Sequence, residues 1–290
     1  MLSRLIALPL IAGVFGCLYL SLEFSDAYAY GIIPQALLLV VIYILQPQID
    51  WWWYNRNPPK LDIKMIRTLD QFFPFYTKLS QQLKERFQKR LALYIFAHEY
   101  IGKDVLEEVP DDIKGVIAAM AVQLTFGHED YLLTKYERIV IYPFPFLSPQ
   151  FPRNIHASEL FEEDGVVIFA ANKLMDGVVK PKQHFNIGLY EFARIYTNSY
   201  PDQEYPQFDE FIWGKLEAIG GFTKQDIEKT IGLPEPDAQA IGIGCFFTFP
   251  DKFQQLLPNA FDRYQQIFNI NPSKPEHPVL VEIKATEAQN

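Results

Sequence analysis

The nine residues Asn186-Ile187-Gly188-Leu189-Tyr190-Glu191-Phe192-Ala193-Arg194 place a carboxylate where metal-assisted hydrolysis would need one. In the helical pattern H-E-x-x-H, two His one turn apart hold a zinc ion and the Glu between them polarises the attacking water. Here the Glu is present as Glu191, and Tyr190 and Arg194 stand at the two His positions. A guanidinium cannot be deprotonated in a protein, so Arg194 cannot ligate zinc. The segment carries the base of a zinc hydrolase without the ligands that hold its metal.

The flanks extend the pattern. Upstream lie Pro74-Phe75-Tyr76 and Leu83-Lys84-Glu85-Arg86-Phe87, then a helix-like block over residues 117–127, then Ile139-Val140-Ile141-Tyr142-Pro143. Downstream lies an aromatic and apolar block over residues 237–250. In order and spacing these blocks resemble the MtfA-like zinc-dependent peptidases, the DgsA anti-repressor family. Of that family's N-x-x-x-H-E-F-A-H, this chain keeps Asn186, Glu191, Phe192 and Ala193. The resemblance covers residues 74–272. It implies a zincin-like fold, a zinc cofactor and peptidase activity, with Glu191 as general base. It also implies a third ligand from a later helix, which falls at Asp237, one methylene shorter than the family's Glu. The family's second acid falls at Gly244 and is therefore lost. The stretch 154–159 is similar to the family's H-x-G-E loop, which gives His156 a supporting role. Glu191 is thus a vestigial general base, Tyr190, Arg194 and Asp237 are degenerate ligand positions, and zinc, expected for the family, is not expected here.

No other residues rebuild a metal site by spacing. The five His are His98, His128, His156, His184 and His277, and no two are three or four apart. A site needs at least three convergent ligands, so each reads as a structural His. His184 is expected on the same helix as Glu191, two turns upstream and too far to share a metal with it. There is no G-x-S-x-G elbow. Gly242-Ile243-Gly244 matches neither nucleotide fingerprint and reads as small residues admitting close helix packing. Glu162-Glu163-Asp164 and Asp209-Glu210 read as solvated faces or caps, and Phe72-Phe73 and Phe246-Phe247 as core.

Arg194 has a specific physical reading. Without a metal, carboxylates gathered in a low-dielectric cleft are buried charges without partners, at several kcal/mol each. An Arg one turn along from Glu191 restores positive charge and brings five donors, and the Tyr190 hydroxyl can donate as well. The alternative is an Arg194 pointing to solvent beside a collapsed apolar pocket.

These residues need a scaffold. Apolar spacing at Leu83, Phe87, Leu91, Tyr94, Ile95 and His98 predicts a helix stopping near Gly102, and Ile113, Val116, Ile117, Met120 and Leu124 predict a second, capped by Asp111-Asp112. Residues 138–142 and 166–170 read as strands. Residues 182–199 carry the motif on a helix, 208–219 are amphipathic, 238–247 are apolar all round and so buried, and 251–268 form a helix kinked or restarted at Pro258. The fold class is α+β, a mainly helical zincin-like domain with a small sheet, preceded by a two-helix transmembrane hairpin. The boundaries are 1–54 for the hairpin, 55–69 for a linker stiffened by Pro58-Pro59, 70–272 for the domain and 273–290 for an extended tail.

The hairpin rests on two apolar runs, residues 5–20 and 31–45, each near the ~20 residues that span a bilayer. Trp51-Trp52-Trp53-Tyr54 fits an aromatic belt. Arg4 precedes the first run and Arg56, Lys60, Lys64 and Arg67 follow the second, while the link carries Glu23 and Asp26. Positive charge stays inside, so both ends and the domain are expected at the cytoplasmic face of the inner membrane. A cleaved signal peptide or a lipoprotein site at Cys17 is the competing reading. Bulky Phe15 and the apolar sequence continuing past Cys17 weigh against it. Two Cys in 290 residues indicate no disulfide framework, and a net charge of −9 argues against a nucleic-acid partner. The expected function is a membrane-anchored pseudo-metallopeptidase, a non-catalytic binding or scaffold module with a protein partner. The alternatives are an active zinc peptidase with a rearranged metal site and a structural subunit of a membrane assembly.

Overall fold

The computed structural model describes residues 2–148 and 154–275. The chain divides into two units, residues 1–59 and 60–290. In the first, α1 (Leu2–Glu23) leads through a 3-10 turn (Asp26–Gly31) to α2 (Ile32–Ile44) and α3 (Gln46–Arg56). The turn is opened by Ser25, whose hydroxyl accepts the Ala27 amide at 3.4 Å. Leu2–Glu23 and Asp26–Ile44 are long and apolar enough to cross a membrane, with mean hydropathy 2.2 and 1.9. Gln35 on α2 donates to Cys17 Sγ on α1 at 3.4 Å, a polar contact between two otherwise apolar helices. At the far end, Asp50 of α3 accepts the Ser3 amide and the Ser3 hydroxyl, both at 3.0 Å. The start of α1 and the helix that follows α2 therefore lie together.

The second unit is α+β and mainly helical. It opens with α4 (Ile63–Phe72), α5 (Pro74–Thr77) and α6 (Gln81–Ala97), then β1 (Glu99–Gly102) and α7 (Asp111–Thr125). Next come β2 (Arg138–Tyr142), β3 (Phe146–Leu147), β4 (Ile155–His156), β5 (Ser158–Phe161) and β6 (Val166–Ala170). The helices α8 (Ala171–Val179), α9 (Ile187–Ser199), α10 (Ile212–Gly220), α11 (Lys224–Ile231), α12 (Ala238–Thr248), α13 (Pro250–Leu256) and α14 (Pro258–Phe268) complete it. The sheet order is β1-β2-β6-β5. The first three strands are parallel, and β5 runs antiparallel to β6 with Ser158 opposite Phe169. Helix α7 is buried on every side from Gly115 to Thr125 and forms the centre of the core. Phe246 on α12 packs on Phe261 and Tyr264 of α14, at 5.2 and 5.5 Å between ring centroids, so the Phe pair there is core.

Several local expectations need correcting. The segment expected as a linker, 55–69, contains most of α4, because Met65 and Leu69 one turn apart are both buried in the second unit. Helix α6 stops at Ala97 and not near Gly102, because Glu99 to Gly102 pair with β2 as a strand. Asp111 and Asp112 form the first turn of α7, after Pro110 at the N-cap. One expectation here holds: the helix over 251–268 is interrupted and restarts at Pro258, in the first turn of α14. The tail beyond Pro275, with His277, lies outside the described residues.

Candidate functional site

Helix α9 begins at Ile187 and not at Lys182. Asn186 caps it, its side chain accepting the Leu189 amide at 3.0 Å. His184 therefore precedes the helix and does not share it with Glu191, contrary to the sequence expectation. The cap sets the phase of the helix and sends Tyr190, Glu191 and Ala193 into the protein.

Glu191 is fully buried, and both of its oxygens are engaged. Oε1 accepts the Ser158 hydroxyl of edge strand β5 at 2.7 Å. Oε2 accepts Nη1 of Arg194 at 3.0 Å. The pair is charge-assisted and mostly enclosed, the Arg194 side chain keeping 22% exposure against 1% for Glu191. Burial pushes the Glu191 carboxyl above its usual range, and Arg194 and Ser158 pull it back only in part. For Arg194 the balance is reversed. Burial opposes its charge, but Glu191, Tyr190 and Asp237 together outweigh it and raise the guanidinium further. Because the carboxylate is fully enclosed, its desolvation offsets much of the attraction, and the pair fixes geometry more than it adds net stability.

Tyr190, 4% exposed, accepts the Asp237 amide on its hydroxyl at 3.2 Å. Burial, with Glu191 next in order, pushes its phenol up to about 12, so it stays neutral. Asp237 is the N-cap of α12, and its Oδ1 accepts the amides of Gln239 and Ala240 at 2.8 and 3.2 Å. The structure therefore brings Tyr190, Glu191, Arg194 and Asp237 into one cluster at the junction of α9, α12 and β5. Sequence reasoning passed over Ser158. Its one signal lay inside stretch 154–159, taken as a loop, where β4 and β5 are found instead.

Zinc does not fit the residues at this place. One former ligand position is a cation, the other is a neutral phenol holding a backbone amide, Asp237 Oδ1 caps α12, and both Glu191 oxygens are hydrogen-bonded. Among the described residues no three His, Cys, Asp or Glu side chains are grouped to hold a metal ion. The histidines serve elsewhere. His98 stacks on Tyr94 at 3.7 Å, and burial brings its ring down to about 4. His128 Nε2 lies 3.0 Å from the Tyr196 hydroxyl, and His156 is fully buried on β4. The cluster holds α9, α12 and the edge strand together, with a hydroxyl on one Glu191 oxygen and a guanidinium on the other.

Residues 49–195 match the glucose-regulated metallo-peptidase M90 family. That is half of the chain, and the chain belongs to this family, the group of the MtfA-like peptidases. The match contains the Tyr190–Arg194 segment and ends before Asp237. No curated protein matches the chain.

Proposed function

We propose that this chain is a membrane-anchored, non-catalytic member of its family that works as a binding or scaffold module for a protein partner. The observation that carries the reading is the Arg194–Glu191–Ser158 network. It sets a guanidinium at a former ligand position and engages both oxygens of the residue that would be the general base. In this reading α1 and α2 cross the inner membrane as a hairpin and the second unit faces the cytoplasm. Arg4 and the bases Arg56, Lys60, Lys64 and Arg67 support that orientation. The Ser3–Asp50 contact supports it too, since it joins the two ends that must share one side.

The test is metal analysis of the purified full chain together with a peptide-hydrolysis assay. No stoichiometric zinc and no hydrolysis are expected. Stoichiometric zinc that is lost in Glu191→Gln, with cleavage, would overturn the reading. A reporter fused behind the second unit should be active on the cytoplasmic side, and a signal from the opposite side would defeat the orientation.

A further inference from the structure

Beside Tyr190 an apolar slot opens between α9, α10 and α12, lined among others by Leu189, Phe185, Phe222, Ile227 and Gly244, with a free volume of about 40 Å³. A side chain at Gly244 would meet nothing within 4 Å, so the slot is open at that point of α12. Phe185 and Phe222, edge to face at 6.0 Å, form one wall. The same two rings also border a second, polar hollow of about 360 Å³ that holds Lys173, Lys229, His184, Gln183 and Thr230. Its one acid, Asp226, caps α11, where its Oδ2 accepts the Thr223 amide at 3.1 Å and hydroxyl at 2.7 Å, and it keeps its charge in reach of Lys229. Among the described residues Lys173 and Lys229 form no ion pair. On a chain of net charge −9, two lysines against one acid leave this hollow with net positive charge, set against an apolar slot.

We propose that this composite surface docks an acidic peptide segment, with one aliphatic side chain in the slot and its carboxylates over Lys173 and Lys229. The proposal rests on the binding-module reading and names the chemistry of the partner. Set against the ~150 Å³ of an engineered cavity that takes one benzene, a slot of about 40 Å³ accepts the end of one aliphatic group, and the lysines beside it favour a segment that carries carboxylates next to that anchor. The lysines supply steering and register, and the slot supplies the anchor.

The probe is a fluorescein-labelled peptide with one Leu between pairs of Glu, titrated by anisotropy against the full chain in phosphatidylcholine nanodiscs. Saturable binding is expected, and each of three changes should weaken it roughly tenfold or more: Gly244→Leu, Lys173→Glu with Lys229→Glu, and Leu→Ser in the peptide. Gly244→Ala should keep binding, and circular dichroism of each variant checks that it is folded. Binding indifferent to all three changes overturns the proposal. No peptide binding, with lysine-dependent binding to phosphatidylglycerol vesicles instead, overturns it in favour of a lipid surface. Binding lost only in Arg194→Ala moves the site to the α9 cluster, sinking this inference while the binding-module reading stands. Zinc-dependent cleavage of the peptide would sink that reading itself.

Discussion

Arg194→Ala tests the central argument most directly. The substitution removes the guanidinium 3.0 Å from Glu191 and leaves a fully buried carboxylate with one donor, Ser158. Stranding one member of a buried ion pair costs about 3–5 kcal/mol. Because the Arg194 side chain is 22% exposed, water can enter the gap, and the lower end, about 3 kcal/mol, applies. For a unit of this size each kcal/mol moves the midpoint by about 2–4 °C, so the loss is roughly 6–12 °C near neutral pH. The sign with pH follows from Glu191. Its folded pKa is already raised above 4.5 by burial, and Arg194 is the largest influence pulling it back. A raised acid contributes stability that is full below its unfolded value and lost as pH rises through its folded value. Without Arg194 the folded value climbs further, so the deficit of the variant should be small near pH 4.5 and widen upward from there. Glu191→Gln added to Arg194→Ala should recover part of the loss, since an amide is not a buried charge. Calorimetry of the full chain across pH measures all of this. An Arg194→Ala deficit that is absent, or equal at acid and neutral pH, refutes the ion-pair account.

Two further outcomes separate the roles of the neighbouring residues. Asp237→Ala should destabilise by about 0.5–2 kcal/mol through loss of the α12 cap, and Asp237→Asn by much less; a ligand carboxylate would not tolerate Asn. Tyr190→Phe should strand the Asp237 amide at about 1–3 kcal/mol, with faster hydrogen exchange at that amide. Its deficit should not vary between pH 5 and pH 8, because the phenol titrates only at about 12.

The legible part of the fold was the part written in local periodicity. The two apolar runs, α7, α12 and the β-branched strands β2 and β6 each announce themselves within a few residues. Strand β1 does not, because His98 to Ile101 continue the helical spacing of α6 and the partner strand begins only at Arg138. Strand β5 is four residues long with three buried in a row, so it has no alternation to read. Ser158 was missed for that reason, since its value depends on a partner 33 residues away. The Arg194–Glu191 contact was legible because a helix puts positions three apart on one face and because an unpaired buried acid is costly. The role of Asp237 divided. Resemblance placed it at a ligand position, whereas an Asp just before an apolar helical run is also an N-cap signature, and the cap is what the structure contains.

Charge explains why these particular replacements can stand together. By the resemblance, the family's site gathers a divalent cation, the base at Glu191, an acid at position 237 and a second acid at position 244. Exchanging the ion for one guanidinium removes one positive charge, and Gly244 in place of the acid removes one negative charge. The formal charge of the cluster is unchanged, while the residues now at the ligand positions do not fit a ligand-exchanging metal. Gly244 and Arg194 are then coupled substitutions. Returning an acid alone, as Gly244→Glu, adds negative charge near Tyr190 and should lower stability, although the position itself has open space for a side chain. The penalty should be larger when Arg194 is already Ala than when it is present, with a coupling of about 0.5 kcal/mol or more in a double-mutant cycle. Strict additivity of the two substitutions would show that position 244 does not belong to the same electrostatic site, and the balance argued from it would fail.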